Sequence, residues 1–415
     1  MLAGLQDGPA GFVRITEAML NTRNETIIVA GGGLGGLTAA AALGRAGRRV
    51  HVLEQAAEIS AIGYGIQLGP NVFEVFDRIG VTDAVMATAD FPGALVMPDA
   101  DSGRTLLRVP LDSPEYKKRY GRPYVVLHRA DIHNILLDAC RRTPGVELTV
   151  NACVVGHEDL GDGVRVTCAD GRSFEGEALI AADGLRSQAR QRLVGDGDPQ
   201  PIGYVAHRSI VDMDTVPASL PHKGDVVLWA GPGYHVVHYP LRHGTLFNIV
   251  AVFKDPAPSH GDEYVTHEQD VAHVYANAHP DLKRVLSMMN LERRWVIADR
   301  DPTRRWTQGR VTLLGDAAHP TLQSYAQGAG MAIEDAGCLA ELIAAHGCER
   351  AFQEYPRRRV VRTARIQLGS RLVWEFYHAE DIAREVRNAE LAERTENASY
   401  ECLDWIWRGA RPAGA

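Results

Sequence analysis

The run Gly31-Gly32-Gly33-Leu34-Gly35-Gly36 constrains the fold of this 415-residue chain more than any other feature. Before it, Thr26 to Ala30 reads as a short buried strand. After it, Leu37 to Ala46 reads as a helix ended by Gly47, and Val50 to Leu53 as a second strand. Glycines 31, 33 and 36 fit G-x-G-x-x-G: Gly31 permits the tight turn, Gly33 lets a pyrophosphate approach the backbone, and Gly36 lets helix and strand pack closely. The helix N-terminus beyond Leu34 then faces the diphosphate. Glu54 and Gln55 follow the second strand, about 20 residues on, where an acid accepts from a ribose hydroxyl. Glycines alone also fill ordinary turns. With both strands, the helix and the acid in place, the pattern opens a doubly wound α/β sheet that binds a dinucleotide.

Composition narrows the alternatives. The chain is 45% hydrophobic and 23% charged, the balance of a globular enzyme, and its net charge of -8 argues against nucleic acid as a partner. Cys140, Cys153, Cys168, Cys338, Cys348 and Cys402 form no C-x-x-C pair. Neither zinc nor a disulfide framework is expected, and the thiols suit a reducing cytoplasm. The first 24 residues lack the apolar core of a signal peptide and read as an extension. Thr26 to Gly44 is uncharged, but its glycines and alanines fit a loop and helix better than a membrane span.

The texture changes along the chain. Between Val146 and Ala182, short alternating strands are broken by Asp162-Gly163 and Asp170-Gly171, both hairpin signals. Three more strand-like runs lie between Val226 and Phe253, with turns at Gly231-Pro232-Gly233 and His243-Gly244. Arg310 to Leu314 reads as a strand, Gln327 to Ala345 as a long helix, and the rest as charged helices. These features divide the chain into an extension (1–24), a discontinuous dinucleotide domain (25–95, 120–192 and 296–365), an inserted substrate sheet (96–119 and 193–295) and a C-terminal helical segment (366–415).

Two later motifs give the dinucleotide an identity. Ala178 to Arg190 reads ALIAADGLRSQAR, a strand running into Asp183-Gly184. Val311 to Pro320 reads VTLLGDAAHP, a strand running into Gly315-Asp316. With His128-Arg129-Ala130-Asp131-Ile132-His133, they resemble the flavoprotein aromatic hydroxylases, the single-component FAD monooxygenases. The resemblance runs from about Glu25 onward. It implies the p-hydroxybenzoate hydroxylase type of FAD-binding domain, with FAD as cofactor and NADH or NADPH as co-substrate without a nucleotide domain of its own. It implies that Asp183, Gly184 and Arg190 serve FAD and pyridine nucleotide, that Arg129 meets the FAD, and that Asp316 meets the ribityl chain. Gln327, Gly328, Ala329 and Gly330 start a helix whose small residues and positive end suit the flavin ring. The implied reaction is attack of a flavin C4a-hydroperoxide, formed with dioxygen, on an electron-rich ring.

The substrate signal lies in His235-Val236-Val237-His238-Tyr239. On a strand, His235, Val237 and Tyr239 share one face, and Val236 and His238 the other. Periodicity alone serves a substrate wall and a solvent-facing side equally. Gly231 to Phe253, Gly315 to Asp335, Tyr355 to Arg365 and Glu401 to Trp405 look most like the 3-hydroxybenzoate 6-hydroxylases. That resemblance implies substrate contacts at His235, Tyr239 and Gln323, and para-hydroxylation of 3-hydroxybenzoate to gentisate. His235 is assigned to the phenol as hydrogen-bond partner or base, its ordinary pKa near 6.5 suiting the task. Tyr239 and Gln323 are assigned to the carboxylate and ring as donors. Ser324 departs from a larger aromatic residue in those enzymes. Val205 to Arg208 and Gly65 to Asn71 also resemble the salicylate and 6-hydroxynicotinate hydroxylases.

Bland readings hold elsewhere. His319 shapes its loop, His51 is a core or edge residue, and Arg357-Arg358-Arg359 is a solvated helix face. Trp374, Tyr377, Trp405 and Trp407 are core or a homodimer contact. A halogenase would carry a tryptophan-containing motif in the first half, whereas the tryptophans of this chain begin at Trp229. A non-catalytic scaffold would not need intact glycine, Asp183 and Asp316 motifs.

Overall fold

The computed structural model describes residues 25–59, 63–255 and 267–409; the extension at residues 1–24 lies outside them. Thr26–Ala30 is the fourth strand of a six-stranded sheet, and its β-branched run is buried on both faces, as a central parallel strand must be. The order is Thr307–Gln308, Val311–Leu313, Ala178–Ala181, Thr26–Ala30, Arg49–Leu53, Val146–Thr149. All neighbours are parallel except the first pair. Both later motifs therefore leave this sheet beside the glycine loop, on strands adjacent to it or one removed. The helix Leu34–Arg45 begins at once after Gly33, earlier than the apolar pattern indicates.

The second sheet has seven strands, in the order Arg294–Asp299, Gln200–Asp212, Leu246–Lys254, Tyr234–Leu241, Val226–Gly231, Ala94–Pro98, Thr105–Pro110. It is antiparallel apart from Val226–Gly231 beside Ala94–Pro98. The hairpins read at Asp162-Gly163 and Asp170-Gly171 join Val154–Asp159, Val164–Cys168 and Ser173–Gly176 into a small third sheet. Gly65–Leu68 and Val125–His128 pair antiparallel, and the Gly65 N–H donates to Asn248 of the seven-stranded sheet at 2.8 Å.

The helix read as ending near Ala345 is the first of two arms. Gly328–Tyr377 is helical apart from Gly347, whose φ of 73° and ψ of 172° break it into two arms. Asp381–Glu393 and Glu396–Trp407 follow. The break lets one arm fold back on the other, which corrects the reading of the basic run. Arg357 and Arg358 are exposed, but Arg359 is buried and pairs with Glu334 and Asp335 of the first arm, at 2.7 and 2.6 Å. Trp374 and Trp407 are core residues, and Trp407 packs among Tyr116, Tyr120 and Tyr124. Tyr377 and Trp405, the other two aromatics of that reading, are half-buried. Among the described residues, no helix is long and apolar enough to cross a membrane.

Candidate active site

One cavity of about 1130 Å³ runs from the glycine loop to the seven-stranded sheet. It exceeds the roughly 300–1,000 Å³ of a pocket for one drug-sized ligand, so it has room for a cofactor and a substrate.

At the loop end, backbone packing dictates two glycines and ligand space the third. A Cβ on Gly31, at φ +110°, would lie 2.4 Å from the Ala182 carbonyl, and one on Gly36 2.0 Å from the Gly31 carbonyl. A Cβ on Gly33 would meet nothing within 4 Å. The helix that starts there has no side-chain cap and no acid in its first turn, so the N–H groups at the cavity-lining Leu34 and Gly35 are left for an anion. Glu54 lines the cavity and accepts the Gly32 and Ala56 N–H groups at 2.7 and 2.9 Å. His133, a buried residue the sequence reading did not single out, donates from Nε2 to the Gly32 carbonyl at 2.8 Å and fixes that peptide. The Gln55 side chain does not reach the cavity; it faces Cys153, 3.8 Å away.

The two Asp-Gly motifs meet. The Asp183 carboxylate caps the helix Gln188–Leu193 through the Gln188 N–H at 2.9 Å, while its neighbours Ala182 and Gly184 line the cavity. Its Oδ1 is buried without a partner among the described residues, and burial pushes its pKa up. Arg190 is fully buried, pairs with Asp196, and donates to the Ala317 and Ala318 carbonyls at 3.2 and 2.7 Å. The first motif thus braces the second: Arg190 supports the loop of Asp316 from behind and does not itself line the cavity. Asp316 is exposed to the cavity with no partner among the described residues. His319 is buried against Asp335, as a loop-shaping residue should be. The Gln327 side chain turns away and accepts from Asn71 at 3.0 Å; Gly328 and Ala329 face the cavity at a second helix start that lacks a side-chain cap.

At the sheet end, alternation is as read. His235, Val237 and Tyr239 face the cavity, while His238 lies behind, accepting the Trp229 indole N–H at 3.0 Å. His235 is buried, and its Nδ1 lies 2.7 Å from Nε2 of His378, at the end of the long helix. Burial first, and then His378, hold its pKa well below the ordinary 6.5. This corrects the basicity reasoning: a resting His235 is neutral at pH 7, with little affinity for a second proton. Burial pushes the Tyr239 phenol up, so it stays a donor. Gln323 lines the cavity, and its Oε1 accepts from Arg208 at 3.0 Å, leaving its NH₂ free to donate.

Arg208 is the residue that sequence reasoning missed. It lies opposite Val250 on the neighbouring strand and opens into the cavity beside Val226, Leu228, Val237 and Val250, an apolar floor. Among the described residues no carboxylate pairs with it, and desolvation lowers its pKa. The available signal was a lone arginine in the strand run Val205, Ala206, Ile210. Ser399, Cys402, Leu403, Ile406 and Trp407 of the last helix close the wall. Ser324 donates to the Ser370 carbonyl at 2.8 Å and also lines the space.

The open cradle at Gly33, two uncapped helix starts and the unpartnered Asp316 fit FAD. A cluster of His, Cys, Asp or Glu able to hold a metal is absent among the described residues.

Comparisons with known proteins agree. The FAD binding domain family model matches residues 24–362. The 3-hydroxybenzoate 6-hydroxylase of Polaromonas naphthalenivorans (strain CJ2) is 40% identical over 93% of this chain and 96% of its own length. 3-Hydroxybenzoate 6-hydroxylase 1 of Aquipseudomonas alcaligenes is 40% identical over 92% of this chain and 98% of its own. Among solved structures, Klebsiella pneumoniae HpxO complexed with FAD and uric acid superposes with a TM-score of 0.81 at 27% identity, covering 92% of this chain and 97% of that one.

Proposed function

The chain belongs to the FAD-dependent aromatic monooxygenases, and from that premise we propose that it hydroxylates 3-hydroxybenzoate para to its hydroxyl, giving gentisate. NADH supplies the electron pair. One atom of dioxygen enters the ring and the other leaves as water.

The observation that carries this reading is Arg208. A cation without a carboxylate partner, set in an apolar floor and steadied by Gln323, calls for an anionic ligand. An aromatic ring with one carboxylate satisfies both the arginine and the floor. His235 lies on the same sheet face, two strands away, where it meets the ring hydroxyl, and Tyr239 and the Gln323 amide donate to the remaining oxygens. Each orients; the apolar walls and the terminal helix exclude water.

Bound FAD supplies the reducible ring that activates dioxygen. The N–H groups beyond Gly33 would hold its diphosphate, Glu54 its adenosine ribose and Arg129 and Asp316 its middle, and the helix start at Gly328-Ala329 would stabilise negative charge on the ring.

The test is NADH consumption with product identification against 3-hydroxybenzoate, 4-hydroxybenzoate, salicylate and 6-hydroxynicotinate. Gentisate from 3-hydroxybenzoate, with the fastest flavin reduction of the four, is the expected result. Efficient turnover of another member without gentisate formation overturns the substrate assignment.

A further inference from the structure

His235 and His378 are 143 residues apart in the chain, yet their ring nitrogens lie 2.7 Å apart. The ring centroids are 5.0 Å apart and the planes differ by 22°, so the imidazoles meet edge to edge, nearly coplanar. The pair is boxed in. Tyr204 lies parallel to His378 at 12° with centroids 4.8 Å apart, and Trp374 stands perpendicular to both rings. The backbone at His378 is held by its N–H to the Trp374 carbonyl and its carbonyl to the Gly233 N–H. This is a built contact between the substrate strand and the end of the long helix.

Two neutral imidazoles in this arrangement share one hydrogen, which can belong to either. If His235 donates from Nδ1, neutral His378 must carry its own hydrogen on Nδ1. That atom is buried with no partner among the described residues. If His378 donates from Nε2, its Nδ1 is a bare lone pair, and His235 carries its hydrogen on Nε2, the nitrogen left for the cavity. Orphaned buried N–H groups are rarer in proteins than under-satisfied acceptors, so the second arrangement wins. A second proton on the pair is disfavoured by burial and by the nearby Arg387 guanidinium, and Glu375 and Glu380 act on the neighbouring Tyr204.

We propose that His378 is a positioning residue that donates to His235 and thereby fixes it as an Nε2–H donor to the substrate. The oxygen it meets must accept; a hydroxyl and a phenolate both can, but the donor binds the charged oxygen more strongly, so the contact favours the phenolate, with the proton released to water. A phenolate oxygen enriches the ring carbons ortho and para to it, where an electrophilic oxygen attacks. The phenolate clause rests on the substrate reading above; the tautomer clause does not.

Two measurements decide these clauses separately. In FAD-loaded enzyme with ¹⁵N-labelled histidine rings, long-range proton–nitrogen spectra read which nitrogen carries hydrogen, and His235→Gln assigns the His235 signals. We expect His235 protonated at Nε2 and bare at Nδ1; the reverse overturns the proposal. This reading needs no substrate and no change at His378, so it stands if a His378 variant fails to fold. Difference absorbance of bound 3-hydroxybenzoate against pH reads the phenol. Its apparent pKa should rise by at least one unit, a tenfold loss of phenolate preference, in His378→Phe, and return toward wild type in His378→Gln, which keeps an N–H donor. Superimposable titrations in all three would refute a positioning role. Failure of 3-hydroxybenzoate to bind wild type would remove the substrate assignment and leave the tautomer to the ring spectra.

Discussion

Gly33, at the helix cap, and Gly36, in the first turn, stand three residues apart and answer to different partners. Gly36→Ala drives a Cβ into the Gly31 carbonyl and should cost about 1–3 kcal/mol or more, read as a lower Tm of the flavin-free protein. Gly33→Ala touches no protein atom. Its flavin-free Tm should match wild type while FAD binding weakens roughly tenfold or more, read by titration of flavin fluorescence; normal affinity would show that the diphosphate does not lie there. Arg208→Gln should raise KM for 3-hydroxybenzoate by roughly 10–100-fold, the worth of one charge-assisted hydrogen bond, and change turnover of 3-hydroxybenzamide far less. Equal losses on both ligands would detach Arg208 from the carboxylate. The glycines, Asp316 and the His235–Tyr239 face were legible in the sequence because backbone geometry and strand alternation are local. Arg208 and His378 were not, since an unpaired arginine and a neighbouring imidazole are defined by distant strands and a helix end. Arg359 shows the same limit: Glu334 and Asp335 draw one arginine out of a solvated run into the core.

Two helices point uncapped N-termini at one cavity, one at Leu34 and one at Gly328. Free N–H groups at both ends suit a cofactor with an anionic diphosphate and a ring that gathers negative charge on reduction. The sequence showed these starts through their glycines, although the first came earlier than apolar periodicity gave. The last helix was legible as a helix but not as a wall. Its place depends on the bidentate contact of Arg119 with Asp404, at 2.7 Å on both arms, and on Trp407 among three tyrosines. Trp407→Ala should destabilise the protein by about 3–5 kcal/mol in thermal or denaturant unfolding and uncouple NADH oxidation from hydroxylation, because that residue both fills the core and lines the cavity. Unchanged stability and coupling would return the helix to a peripheral role.

Across the whole molecule, burial has left His235, His238 and His378 neutral, with His238 and His378 held down to about 3. Unfolding releases them to the ordinary value of 6.5. Above that pH neither state binds the protons and the histidines cost nothing. Below it the unfolded chain takes them up and the folded chain does not, so stability falls as pH drops from about 6.5 toward 3. Two such histidines give a slope of about 2.7 kcal/mol per pH unit over the middle of that window. Denaturant midpoints should therefore fall steeply between those limits, and His238→Asn should flatten the curve; a flat wild-type profile would contradict the burial argument. The long helix ties this frame together. It leaves the cofactor end of the cavity at Gly328, breaks at Gly347, and returns to the substrate end at His378. Its second arm therefore counts residues as well as packing them. Removing one residue after Gly347 would turn everything beyond it by about 100° and swing His378 off His235. Descendants of this sequence are free to exchange the exposed side chains of that arm, but an insertion or deletion within it would cost them the active site, so its length should be inherited more faithfully than its composition.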